Sequence, residues 1–129
     1  MAKNLVKDFM SSPVMSVDSE ETIREAADFM MKKKVRALLV KEDKEYVGIV
    51  TKTDFILKVF VNENMDPELD IVSDIMSTPV FLLDSSATME DARKFMQKNK
   101  IGHLAVTEKG KIAGLLSKND LAAYFGKLV

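Results

Sequence analysis

Apolar and polar positions along this chain follow two rhythms, and both rhythms occur twice. After Thr22, apolar residues fall at Ile23, Ala26, Ala27 and Met30, the three- and four-residue spacing that lines one face of a helix. Met89, Ala92 and Met96 repeat it. Each run opens on a capping-box spacing, Thr22 with Glu25 and Thr88 with Asp91. There a threonine oxygen accepts an N3 amide while the carboxylate reaches back to the cap amide. Short apolar runs after proline, Val14 to Val17 and Val80 to Leu83, predict strands. Ala37 to Val40 and Tyr46 to Val50 flank the charged stretch KEDKE; the second half carries TEKGK with Gly110 in the turn, and both predict hairpins. A second helix begins near Asp54 and again near Asp120. The order strand, helix, strand, strand, helix predicts an α+β fold with a small sheet in each half.

The halves are copies. Residues 7–59 align on 73–125 without a gap, at a constant offset of 66. KDFMSSPV matches SDIMSTPV, TIREAADFMMKKK matches TMEDARKFMQKNK, and GIVTKTDF matches GLLSKNDL. The stretch FVNENMDPELDIV reads as the connection. The expected organisation is therefore a first motif over 1–62, a linker over 63–72 and a second motif over 73–129. About sixty residues bury too little surface to leave much margin alone, so the copies are expected to share one core and form one module.

The helix after Asp54 reads FILKVFV, apolar almost all round, and Leu121 to Phe125 repeat the feature. A helix packed on one side keeps a polar stripe, so cover on both sides is expected, either inside one chain or as a homodimer seam. The 9 methionines read mainly as core filler.

Composition narrows the function. With 19 basic and 20 acidic side chains, no overall field draws the chain to nucleic acid or an acidic membrane, so an anionic ligand must be held locally. The absence of cysteine excludes disulfides, thiolate metal sites and a cysteine nucleophile. A single histidine and no recognisable nucleophile with its base, zinc motif or P-loop argue against an enzyme. No apolar stretch reaches the length of a membrane span and the N-terminus lacks a signal-like apolar region, which reads as cytoplasmic.

The heptapeptides GIVTKTD and GLLSKND carry the candidate chemistry. Gly48 and Gly114 sit in strands, where glycine often marks close approach of a ligand or another backbone. Thr51 and Ser117 place a hydroxyl just before a helix whose first amides point outward, a ready site for a phosphate oxygen. Lys52 and Lys118 add charge, and Thr53 and Asn119 complete the turns. Asp54 and Asp120 can accept hydrogen bonds from a vicinal diol, yet the same spacing is a helix-capping signature that needs no ligand.

These features resemble the CBS domain pair, or Bateman module, over nearly the whole chain. The carrying residues are MSSPV and MSTPV, the threonine-led helices, the hairpins, and both heptapeptides on the pattern G-h-h-[ST]-x-x-D, with h apolar. The resemblance implies a tandem CBS fold with pseudo-two-fold related repeats and a dimer of pairs. It further implies clefts that take AMP, ADP, ATP or S-adenosylmethionine as a regulatory ligand, with no obligatory cofactor and no metal. It gives Asp54 and Asp120 the ribose. Adenine is then expected beside the first strand, read by backbone groups of Ser12, Pro13 and Val14, or of Thr78, Pro79 and Val80. Arg36, beside Ala37, is a candidate phosphate partner or a solvated surface group. His103, beside Gly102, either meets a phosphate or caps the sheet edge. The Arg36-Ala37 and Gly102-His103 pairs differ, so unequal clefts are expected. Lys32 to Lys34 close a helix. The regulated target is expected to be another protein, energy sensing being one such role. The alternative function is a protein-interaction scaffold with vestigial clefts.

Overall fold

The strand, helix, strand, strand, helix order holds in both copies. A computed structural model describes residues 4–126 and resolves them into two units, which do not coincide with the sequence copies. One unit runs from Met15 to Val80; the other joins the residues up to Val14 with those from Phe81 onward.

In the first unit, β1 (Ser16–Asp18) runs parallel to β2 (Ala37–Glu42), and β2 runs antiparallel to β3 (Glu45–Thr51), in the order β1-β2-β3. The central strand β2 begins with four consecutive buried residues, Ala37 to Val40, as a strand covered on both faces must. Helix α1 (Ile23–Lys33) is capped by Thr22, whose side chain accepts from the Glu25 amide at 3.1 Å while Glu25 accepts from the Thr22 amide at 2.9 Å. Helix α2 (Lys52–Asp54) continues as a π-helical stretch, Phe55–Phe60. The second unit repeats the plan with β4 (Leu82–Asp84), α3 (Met89–Asn99), β5 (His103–Glu108), β6 (Lys111–Ser117) and a regular helix α4 (Lys118–Gly126).

One expectation needs correction. The strands after proline begin two residues later than the apolar runs suggested, at Ser16 and Leu82. Each unit holds a cluster of buried side chains drawn from both copies. What the copies share is an exchanged leading segment. Val72 and Ile75, from the start of the second copy, are buried with Ile23, Leu38 and Phe55. Val6, from the start of the first, is buried with Met89, Leu104 and Leu121. Matching hydrogen bonds hold both segments, Val72 N–H to Glu21 O and Val6 N–H to Ala87 O, each at 2.9 Å. In the apolar stretch after Asp54, Phe55 and Val59 are buried, while Ile56, Leu57, Phe60 and Val61 are exposed, so the chain itself covers one side of it.

Candidate functional site

Each heptapeptide ends its strand on a residue that caps the next helix. At the end of β3, the Thr51 hydroxyl accepts from the Asp54 amide at 3.3 Å, and Asp54 Oδ2 accepts from the Thr51 amide at 2.8 Å and from its hydroxyl at 3.1 Å. Ser117 and Asp120 repeat this with 3.2, 2.8 and 3.1 Å. The capping reading of both aspartates is therefore realised. Asp54 is buried, whereas Asp120 is half-buried. Lys58, four residues beyond Asp54, places Nζ 3.1 Å from Asp54 Oδ1 and donates to the Ile75 carbonyl at 2.9 Å. Tyr124 holds the matching place in the second copy, with its ring against Phe9 and Phe125.

The strand glycines have a structural explanation. A Cβ on Gly48 would lie 2.7 Å from Met76 Sδ and 3.0 Å from the Ser77 carbonyl oxygen; one on Gly114 would lie 2.9 Å from the Ser11 carbonyl oxygen. They admit a neighbouring backbone. Ser77 and Ile49 exchange hydrogen bonds of 2.8 and 3.0 Å, as do Ser11 and Leu115. Thr78, Pro79 and Val80 thus follow directly on a residue clamped to the first unit's heptapeptide strand. Ser12, Pro13 and Val14 follow on one clamped to the second unit's, so each proline segment is carried beside the other copy's heptapeptide. Ser12, Pro13, Thr78 and Pro79 are exposed, and both prolines follow cis peptide bonds.

Arg36 and Lys52 are exposed neighbours, the Lys52 amide donating to the Arg36 carbonyl at 2.9 Å. Both line a cavity of about 360 Å³ in the first unit, with Lys34 as a third cation and Met30, Phe55 and Phe60 among its apolar walls. No acidic side chain lines it, so it favours an anion with an apolar body. Thr51 and Asp54 do not line this cavity, and Thr53 is an exposed residue of the turn. In the second unit the Lys118 amide donates to the Gly102 carbonyl at 2.9 Å, and the Lys118 stem passes 3.5 Å from where a Cβ of Gly102 would stand. Lys118 and Asn119 are exposed, and His103 opens β5 half-buried. The buried Ala37 opens β2, opposite Thr51.

Sequence reasoning read Lys34 only as part of a helix end and missed Lys58. The Asp54 to Lys58 spacing, an acid four residues before a base on a helix, was the available signal for the second. Among the described residues no group of histidine, cysteine and carboxylate side chains could hold a metal ion, and no helix is long and apolar enough to cross a membrane.

The duplicated fold and paired turns define a two-repeat module, and comparison with known proteins assigns its family. The CBS domain family model matches residues 6–61 and 72–127, so the chain belongs to the CBS domain family. The CBS domain-containing protein YhcV of Bacillus subtilis is 31% identical over 117 residues, which cover 91% of this chain and 82% of that protein. The chain spans 43% and 61% of two archaeal relatives, which are longer. A protein with CBS domains from Burkholderia ambifaria superposes with a TM-score of 0.82 at 26% identity, covering 94% of this chain and 93% of the other. The CBS domain pair of protein MJ0100, in complex with 5′-methylthioadenosine and S-adenosyl-L-methionine, has the same fold, with a TM-score of 0.80 at 24% identity over 97% and 98% of the chains. CBS domains are regulatory modules, and these are the domains the family comparison finds.

Proposed function

We propose that this chain is a regulatory module that binds an adenosyl ligand, such as AMP, ADP, ATP or S-adenosylmethionine, and passes its occupancy to a separate effector protein. The observation that carries the reading is the duplicated turn, in which a strand delivers a hydroxyl and a carboxylate to one helix start, beside a clamped proline segment. The hydroxyls of Thr51 and Ser117 suit a phosphate or carboxylate oxygen, and the carboxylates of Asp54 and Asp120 suit a ribose. The backbone of Ser12-Pro13-Val14 and Thr78-Pro79-Val80 suits an adenine edge. The cations Arg36 and Lys52, and Lys118 with His103, suit the charged end. The adenosyl ligands of MJ0100 support the same chemistry. The lack of cysteine fits a reducing compartment, the cytoplasm in this reading.

A thermal-shift screen over AMP, ADP, ATP, S-adenosylmethionine and cyclic dinucleotides tests the proposal. Ligand at a hundred times its Kd contributes about 2.7 kcal/mol and raises the melting temperature. A flat response to every adenosyl compound contradicts the reading and leaves the scaffold alternative.

A second observation favours a homodimer. Ile56, Leu57, Phe60 and Val61 form an exposed apolar run, Phe60 being 74% exposed, and Met31 of α1 is 78% exposed. Closed two-fold pairs are the commonest way to cover such a face. Phe55, only 5% exposed and part of the core, is not presented to a partner. Phe60→Glu is the probe: light scattering should find a dimer for the natural chain and a monomer for the variant.

A further inference from the structure

We propose that Lys58 closes the first copy's heptapeptide turn to ribose, so that the turn at Ser117–Asp120 is the one that engages the ligand's diol and the chain holds a single adenosyl ligand. This inference rests on the adenosyl reading and names which of the two turns carries it.

The two aspartates are alike in sequence and unlike in what reaches them. At Asp54, Oδ2 accepts from the Thr51 amide and hydroxyl, and Oδ1 lies 3.1 Å from Lys58 Nζ. Both oxygens are engaged in a carboxylate that is only 12% exposed. Lys58 is held from a second direction by the Ile75 carbonyl at 2.9 Å, so the ammonium bridges the helix to the exchanged segment 17 residues away. A diol arriving at Asp54 must share Oδ1 with the Lys58 ammonium on a carboxylate with little exposed surface, which weakens its binding by about tenfold or more.

At Asp120, Oδ2 makes the same capping contacts, but position 124 is a tyrosine. Its ring stands edge-on to Phe9, at 5.0 Å between centroids, and to Phe125, at 4.8 Å. Among the described residues no lysine or arginine forms an ion pair with Asp120, and Asp120 is half-buried where Asp54 is buried. A diol at Asp120 therefore has no lysine or arginine with which to share Oδ1.

Titration calorimetry with AMP and with S-adenosylmethionine tests this on the full chain. The natural protein should bind one ligand per chain, and Asp120→Asn should weaken that binding at least tenfold. Lys58→Met, which keeps the apolar stem, should bring the stoichiometry to two, and adding Asp54→Asn should return it to one. Tyr124→Lys should weaken the single site by about tenfold, and it keeps the test alive if Lys58→Met fails to fold. Two equal sites in the natural chain, or one site in Lys58→Met together with unaltered affinity in Tyr124→Lys, overturn the lock alone. No binding by any of these proteins overturns the adenosyl reading and the lock with it.

Discussion

Lys34 and Lys100 hold the same place in the two copies, each ending its helix in the left-handed region with φ of 56° and 55°. The conformation satisfies carbonyls of the last turn, since the Lys34 amide donates to Met30 and Met31 and that of Lys100 to Met96. A side chain there costs about 1–2 kcal/mol, part of which glycine would return through its larger unfolded-state entropy. Lys100→Gly should therefore stabilise the protein by about 0.5–1 kcal/mol, read as a higher denaturant midpoint; a lower midpoint would contradict the account. Glu25 and Asp91 are residue-scale features of another kind. The Thr22 amide first, then its hydroxyl, hold the Glu25 carboxyl below its usual 4.5, and Thr88 holds Asp91 below 3.8 in the same way. Their folded values lie under the unfolded ones, so these bonds contribute stability above about pH 4.5 and lose it as pH falls through the folded values. The stability gap between the natural chain and Glu25→Gln should be full at pH 7 and shrink below pH 4.5. A gap that does not change with pH would place the effect elsewhere.

At the scale of elements, the heptapeptide strands are defined by what passes over their glycines. Gly48→Ala pushes a methyl into the Ser77 carbonyl and Met76, and Gly114→Ala into the Ser11 carbonyl. Each is expected to cost about 1–3 kcal/mol in thermal or chemical unfolding, because backbone rather than a flexible tip must yield. Unchanged stability would mean that the clamped segments are not held as described. The helices were legible in the sequence because a capping box fixes a start by local spacing, and Thr22 and Thr88 stand at the predicted caps. The strands after proline were legible only to within two residues. Val14 and Val80 are apolar, but Ser11 and Ser77 just before the prolines are bridged to Leu115 and Ile49, and ladder pairing with β2 and β5 starts only at Ser16 and Leu82. For the stretch after Asp54, an all-round apolar sequence could not tell the buried Phe55 from the exposed Phe60, nor π-helical winding from the regular helix of the second copy.

For the whole molecule, the exchanged leading segments are the feature the repeat concealed. Val6 and Val72 are equally apolar, and nothing local says which sheet each will join; only the non-local bridges of Ser11 and Ser77 decide it. Both valines are fully buried. Val6→Ala and Val72→Ala should each cost on the order of 2 kcal/mol in denaturant unfolding, and a negligible loss at either would contradict the exchange. In the candidate site, residue types and spacing were legible, but Lys58 and Tyr124 become distinct only once their neighbours are known. The central claim is that a heptapeptide turn, the one at Ser117–Asp120, binds a ligand as well as capping its helix, and calorimetry of the natural chain beside Asp120→Ala, with AMP or S-adenosylmethionine, tests it most directly. A lost charge-assisted hydrogen bond of about 1.5–3 kcal/mol predicts affinity lowered roughly ten- to a hundredfold in a variant that still folds. Unchanged affinity in an Asp120→Ala chain that merely melts earlier would show the aspartate to be a cap alone.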